Sequence, residues 1–286
     1  MTESAISITA RLAAYMRQFT DIPFAADVAR LLQAREAFDT LLSDSGMSPD
    51  DLLWYAPIFE ARYKSIAAAI RNSGITQVLE LASGVSLRGL AMTNDLAFTY
   101  VETDLPDITA EKIGLVSELR RTHRLPDYGN HHLIAANALS MDDLRAAITC
   151  FRRDLPIAVV NEGLFQYLST DEMETVARNI SGLLAIRGGL WMTPDFSIKG
   201  DVRNVTEQQR RFRAIVTAAT DRPMYNNAFD TIADLNAFLK RAGLKGRSVN
   251  QLGLTPRLVS PEALHLPQAL PGLAGQALNL WLLSAA

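Results

Sequence analysis

Glu80-Leu81-Ala82-Ser83-Gly84-Val85-Ser86-Leu87-Arg88-Gly89 follows the short apolar run Thr76-Gln77-Val78-Leu79. A strand that opens through small residues into a helix lets backbone N–H groups approach a ligand closely. The rhythm set here continues downstream. Strands are predicted over Phe98–Thr103, His131–Ala135, Ile157–Asn161 and Gly189–Thr193, alternating with helices over Ile108–Arg121, Met141–Phe151 and Thr170–Ile186. Such alternation requires parallel crossovers and a doubly wound α/β sheet. The strands are nearly all apolar, as expected when helices cover both faces. Ligands of these sheets bind beyond the carboxyl ends of the strands. The loops after Leu81, Thr103, Ala135, Asn161 and Thr193 are therefore the ones to read for function.

The flanks differ. Residues 1–74 read as a helical cap, and 75–286 as the sheet domain it covers. Ala25 to Leu42 places Val28, Leu31, Leu32, Ala34, Phe38, Leu41 and Leu42 mostly on one face and predicts one helix. Ser48-Pro49-Asp50-Asp51 supplies an N-cap, a first-turn proline and two acids. The helix it opens runs through Trp54, Ile58, Arg62 and Ile66 to about Asn72, where Gly74 stops it. After helices near Asp201–Thr217 and Thr231–Ala242 come two late strands, Gly246–Asn250 and Leu278–Leu283. Their Pro- and Leu-rich linker shows no helix of its own, so a direct return makes the pair antiparallel.

The chain has 286 residues, 28 basic and 31 acidic side chains, and a net charge of −3. That composition fits a globular protein, and it lacks the basic excess of a phosphate-contacting nucleic-acid binder. No apolar run approaches the roughly 20 residues of a membrane helix. The N-terminus carries Glu3 and no basic leader segment, so no secretory signal and no membrane association are expected. The one cysteine, Cys150, excludes an internal disulfide and suits a reducing cytoplasm. Its apolar neighbours predict a buried core residue. No set of residues has metal-ligand spacing.

Four chemistries compete for the first turn. A dinucleotide fingerprint needs G-x-G-x-x-G, but Ala82 and Ser86 stand at glycine positions. A phosphate loop needs G-K-[ST], which is absent. A hydrolase elbow begins at Gly84-x-Ser86, with Asp195 and His265 following in chain order. Arg88 takes its last glycine, and a single strand precedes the turn. The fourth is a loop for S-adenosylmethionine, with an acid, Glu80, at the end of strand one and small residues after it. A second acid is then required past strand two to hold ribose hydroxyls. Val101-Glu102-Thr103-Asp104-Leu105-Pro106 supplies it about 20 residues on. The plain alternative is that Glu102 and Asp104 only cap the next helix.

These residues resemble the leucine carboxyl methyltransferase family, in particular its bacterial branch related to tetracenomycin-type polyketide O-methyltransferases. Thr9–Ala25 (TARLAAYMRQFTDIPFA), Glu80–Gly89 (ELASGVSLRG), Glu102–Pro106 (ETDLP) and Asn161–Leu168 (NEGLFQYL) carry the likeness. The resemblance implies a class I, Rossmann-like methyltransferase sheet with an N-terminal helical cap, and S-adenosyl-L-methionine as cofactor. It implies that Arg62 pairs with the methionine carboxylate and that Glu80, Ala82 and Gly84 form the loop. Asp104, followed by Leu105, would take the ribose, Asn137-Ala138 would flank the adenine, and Glu162 would face the ammonium. Many members carry Asp-Leu where this chain has Asn137-Ala138. Arg62 as a surface ion pair and Glu162 as a helix-capping acid are the plain alternatives.

The expected activity is O-methylation of a small, polyketide-like molecule at a carboxylate or hydroxyl. Methylation of a protein C-terminal carboxylate and a non-catalytic relic of the fold are the rivals. A carboxylate acceptor is ionised at neutral pH and needs no base, whereas a phenol near pKa 10 benefits from one. Tyr167 is the candidate for positioning the acceptor, its hydroxyl being a polar handle in an apolar pocket. Phe165, Phe196, Tyr15, Trp54, Tyr55 and Phe59 are further pocket candidates, though aromatics at such spacing are commonly core. His131 and His132 open a strand at the wrong edge and read as structural, His123 belongs to a solvated basic patch, and His265 lies in the late loop. Arg203, Arg210, Arg211 and Arg213 form a solvated face or attract an acidic acceptor. A homodimer is a possible assembly.

Overall fold

Each apolar run becomes a strand of one seven-stranded sheet in the computed structural model, which describes residues 3–199, 207–220, 228–255, 257–266 and 278–286. The strands are β1 (Gln77–Leu81), β2 (Thr99–Asp104), β3 (His131–Ala135), β4 (Ile157–Asn161), β5 (Gly189–Thr193), β6 (Leu244–Asn250) and β7 (Asn279–Ala285). Their order is β3-β2-β1-β4-β5-β7-β6, with β1 to β5 parallel. β7 runs antiparallel to both β5 and β6, as the late return predicts. The order reverses between β1 and β4, and this is the switch point where such sheets leave room for a ligand. Register aligns the carboxyl ends there: Leu81 stands beside Asn161, and Asp104 beside Ala135.

The helices are α1 (Glu3–Arg17), α2 (Ala25–Leu31), α3 (Ala34–Leu42), α4 (Ala56–Ser73), α5 (Arg88–Met92), α6 (Pro106–His123), α7 (Met141–Ala147) and α8 (Thr170–Arg187). Later come α9 (Glu207–Thr220), α10 (Ile232–Arg241), α11 (Gln251–Leu254) and α12 (Ser260–Ala263). Strand alternation splits the core in two. Leu79, Leu81, Val101 and Val159 face Leu144, Val176, Ile180 and Phe238 of α7, α8 and α10. Val78, Ala158, Val160 and Met192 face Ile66 and Ile70 of α4 on the other side. A third cluster joins α1, α2, α3 and α6 to Val85, Leu87 and Leu90, so the helices before the sheet close over the turn that follows β1.

The predicted helix over Ala25–Leu42 is two helices. Gln33 takes a left-handed conformation, φ 47°, between α2 and α3. The bend lets both pieces bury an apolar side, Val28 and Ala29 from one and Ala34, Phe38 and Leu42 from the other. No glycine or proline marks it. The helix opened by Ser48 begins as a 3-10 turn, Pro49–Tyr55, with Asp51 completing the capping box, and α4 follows. α7 ends at Ala147, earlier than read, so Ile148 and Phe151 turn inward and Cys150 is exposed rather than core. The late linker contains α11 and α12, although it carries no helical pattern. Asp201 and Arg203 lie outside the described residues. No helix among those described is long and apolar enough to cross a membrane.

Gly89 is where α5 meets β2. A Cβ there would stand 2.8 Å from Glu102 Cδ and from His131 Nε2, and 2.9 Å from the Tyr100 ring. Its N–H also donates to Glu102 Oε1 at 3.0 Å. Gly89→Ala is therefore expected to lower stability by about 1–3 kcal/mol through overpacking, measured by denaturant unfolding. An unchanged midpoint would show that the three neighbours yield freely.

Candidate functional site

The turn after β1 is held from beneath. Ser83 N–H donates to Thr103 O at 2.9 Å, and Ser83 Oγ accepts from Lys112 Nζ at 2.9 Å. Gly84 N–H donates to Asp104 Oδ2 at 2.7 Å, and Leu105 N–H donates to Asp104 Oδ1 at 2.8 Å. The acid past strand two is thus tied directly to the turn past strand one. Burial pushes the Asp104 carboxyl upward, and these two N–H groups draw it back. Gly84 has φ 52°, and no atom lies within 4 Å of where its Cβ would be, so the turn opens onto free space at that point. Ala82 also has a left-handed φ, 48°, which for a non-glycine residue costs about 1–2 kcal/mol.

Behind the turn lies a layer of buried charge. Arg88 is wholly buried, pairs with Glu80, and donates from Nη2 to Glu162 Oε2 at 2.7 Å. Tyr100 OH donates to the other Glu80 oxygen at 2.7 Å. Arg17, from the end of α1, donates to Glu162 Oε1 at 2.7 Å. Arg62 on α4 donates from Nη2 to Asp195 Oδ1 at 2.6 Å, and its Nε lies 3.9 Å from Glu162. Three arginines therefore face three carboxylates from α1, α4, α5 and the ends of β1, β4 and β5. Burial alone would push the Glu162 carboxyl upward, but the charges of Arg17, Arg88 and Arg62 hold it below the usual range.

Asp195 explains the turn Asn161-Glu162-Gly163-Leu164. Its carboxylate accepts from Gly163 N–H and Leu164 N–H, each at 2.8 Å, and from Phe165 N–H at 3.2 Å. Asn161 Nδ2 donates to it at 2.6 Å, while Asn161 Oδ1 accepts from Trp191 Nε1 at 2.7 Å. Such a run of N–H groups around one anion needs a tight bend, which Gly163 supplies at φ 85°. The bend points Glu162 at the three arginines. Asp195 is thus committed to this turn and to Arg62, and His265 is exposed on the turn after α12, so the hydrolase order Ser86, Asp195, His265 forms no triad.

A second buried group underlies β2. Glu102 accepts from Gly89 N–H and lies 3.2 Å from Lys112 Nζ and 2.8 Å from His131 Nε2. Burial works against ionisation, yet Lys112 and His131 hold the Glu102 carboxyl down at about 2. His131 is therefore structural, and Glu102 is a core anion rather than a helix cap.

The remaining candidates are scattered more widely. Asn137 is exposed past β3. Its N–H donates to Asp143 Oδ2 at 2.9 Å, and its Oδ1 accepts from Leu139 N–H at 3.0 Å, with Ala138 half-buried beside it. Tyr167 is half-buried and packs into the cap cluster with Tyr55 and Phe59. Phe165 and Phe196 belong instead to the sheet core around Trp191, and Tyr15 is buried against Phe19 and Phe38. Trp54 stacks on Tyr55 at 3.7 Å. Arg210 pairs with Glu207 at 2.9 Å on an exposed face. No group of three His, Cys, Asp or Glu among the described residues has the disposition to hold a metal.

The leucine carboxyl methyltransferase family profile matches residues 32–181, more than half of the sequence. The chain belongs to the leucine carboxyl methyltransferase family. A Mycobacterium marinum protein provisionally named an S-adenosyl-L-methionine-dependent methyltransferase is 26% identical over 197 residues, 64% of this chain. The match spans 62% of that relative's length. A crystal structure of a DUF574-family protein from Streptomyces avermitilis superposes over 97% of both chains with a TM-score of 0.59 and 14% identity. The mitomycin 7-O-methyltransferase covers 92% of this chain and 69% of its own, with a TM-score of 0.50 and 12% identity. These likenesses establish the class I methyltransferase fold for this member of the family.

Sequence reading missed Arg17, Arg88, Lys112 and the role of Asp195. Their periodic positions look like ordinary helix or loop residues, and only the sheet order brings them together. Two outcomes follow from this geometry. Ala82→Gly is expected to raise stability by about 0.5–1 kcal/mol, because the strain at φ 48° exceeds the added unfolded-state entropy; a destabilised variant would contradict that. Glu102, depressed from 4.5 to about 2, contributes stability that is complete above its ordinary value and is lost as pH falls towards 2. Glu102→Gln should remove that acid-range slope, on the order of 3 kcal/mol, in unfolding measured from pH 5 to 2. A slope equal to the parent's would refute the assignment.

Proposed function

We propose that this protein transfers a methyl group from S-adenosyl-L-methionine to a carboxylate or hydroxyl oxygen of a small, polyketide-like molecule. One observation carries the reading. Gly84, Asp104 and Glu162 stand at the ends of three neighbouring strands across the switch point, and the space before Gly84 is open. The donor set suits this cofactor. Each Asp104 oxygen already accepts one backbone N–H and keeps a further lone pair for a ribose hydroxyl. The three arginines and Glu162 offer both signs of charge to a zwitterionic amino-acid end. Arg62 Nε and Arg17 Nε are buried without a hydrogen-bond partner, so the layer has donors to spare.

When bound, the cofactor supplies a methyl group already activated on a positively charged sulfur. The chain's own work is then positioning and exclusion of water. Asp104 fixes the nucleoside. Glu162 takes the ammonium, with Asp195 holding its turn in place, and Arg62 takes the carboxylate. Asn137 and Ala138 flank the base. The helices over the turn after β1 keep solvent from the reacting end. The half-buried aromatic surface of Tyr55, Phe59 and Tyr167 suits an apolar acceptor with polar groups. The family description favours a carboxylate oxygen, and the mitomycin enzyme's name a hydroxyl; an ionised carboxylate would need no base.

S-adenosylhomocysteine is expected to raise the melting temperature, since a ligand specific to the folded state at 100 times its Kd adds about 2.7 kcal/mol. Asp104→Ala should abolish that rise while the unliganded protein still folds. No rise in the parent at millimolar ligand would defeat the reading. Transfer of labelled methyl into a metabolite library, followed by identification of the product, distinguishes a small molecule from a protein C-terminus.

A further inference from the structure

The segment after β6 is clamped to α4 by one buried carboxylate. Glu60 is wholly buried and takes up four donors. Its Oε1 accepts from Val259 N–H at 2.8 Å and from Lys64 Nζ at 2.7 Å. Its Oε2 accepts from Ser260 N–H at 2.9 Å and from the Ser260 hydroxyl at 2.6 Å. Lys64 also donates to Arg257 O at 2.7 Å and lies 2.6 Å from Asp21 Oδ1, in the connection between α1 and α2. A buried carboxylate is tolerated only when donors of this kind offset its desolvation. Among the described residues, Glu60, Lys64 and Ser260 share no partner with the arginine layer.

The clamp holds a segment that borders the aromatic surface of the cap. Leu264, just past α12, packs into the cap cluster to which Tyr55 and Tyr167 belong. Leu258 packs with Trp54 and Tyr55 against Ile58 and Leu278. Leu258, Leu264, Trp54 and Tyr55 are all half-buried, so each keeps surface for a ligand. The segment also lies at the ligand end of the sheet: Thr193, which closes β5, pairs with Trp281 near the start of β7, and Asn250, which closes β6, pairs with Asn279. Flat aromatic faces beside branched apolar side chains match a planar body of several fused rings. We propose that the stretch from Arg257 to Leu264, fastened by Glu60, forms one wall of the acceptor site, that the acceptor is a multi-ring aromatic molecule, and that Glu60 is a positioning residue for it. The proposal rests on the function proposed above and adds the class of acceptor and the element that selects it.

Fluorescence titration with anthracene-2-carboxylic acid, displaced by benzoic acid, tests it with S-adenosylhomocysteine held saturating. The parent should bind the three-ring acid at least about 10-fold more tightly than the one-ring acid. Glu60→Gln turns one accepting oxygen into an amide N–H2 that faces N–H donors, so the wall shifts. The three-ring acid should then bind about 5- to 20-fold more weakly, while the Kd of S-adenosylhomocysteine changes less than about twofold. A Glu60 that serves only folding would lower the melting temperature and leave both affinities of the folded protein unchanged, which overturns the assignment. Equal loss of both ligands overturns it too, because Glu60 would then support the cofactor end. If Glu60→Gln fails to fold, Leu258→Ala and Leu264→Ala decide: each should narrow the difference between the two acids, and an unchanged difference means no wall there. A parent that binds S-adenosylhomocysteine but neither acid overturns the wall and leaves the proposed function standing. One that does not bind S-adenosylhomocysteine overturns both.

Discussion

Glu162 binds two arginines from two different helices, and a third approaches within 3.9 Å. Almost everything near the switch point depends on that arrangement. A carboxylate placed there without partners would be driven to neutrality, and each arginine without one would be an uncompensated buried charge. Removing a single member of such a pair commonly costs about 3–5 kcal/mol. The layer therefore fixes where α1, α4 and α5 sit relative to the ends of β1, β4 and β5. Packing alone leaves helices free to slide by a turn; directional N–H donors to a shared anion do not.

The same arrangement accounts for the chemistry of the site. The three arginines balance Glu80, Glu162 and Asp195, so the layer is close to neutral before any ligand arrives. Under the proposed function, a zwitterionic amino-acid end would add no net charge, and its two ends would exchange places with bonds already present. Desolvation, which normally opposes binding of charged groups, is largely met during folding. The bond from Gly84 N–H to Asp104 extends this logic to the nucleoside end of the proposed site, because the turns after β1 and β2 cannot move apart independently. Beneath them, Lys112 links Glu102 to Ser83, so the support of the turn is itself ionic and buried.

Much of this was legible in the sequence. Strand positions such as His131–Ala135 and Ile157–Asn161 were readable to the residue, because strands covered on both faces leave uninterrupted apolar runs. Asp104 and Glu162 lie, as read, at the carboxyl ends of β2 and β4, because the apolar runs before them fix where those strands stop. The break at Gln33 was not legible, since a left-handed residue other than glycine leaves no compositional trace and is imposed by what α2 and α3 pack against. Cys150 was misplaced for a related reason: Ile148 and Phe151 satisfy the same apolar pattern and take the buried side.

Local sequence determined most element types, the parallel alternation and the turns at the carboxyl ends of the strands, because period, small residues and caps act within a few residues of one another. Tertiary structure alone decided which charges share a partner. Arg17 and Glu162 are 145 residues apart, and Arg62 and Asp195 are 133 apart. Coulombic attraction in a buried site depends on distance through space, and nothing along the chain encodes that distance until the sheet order is set.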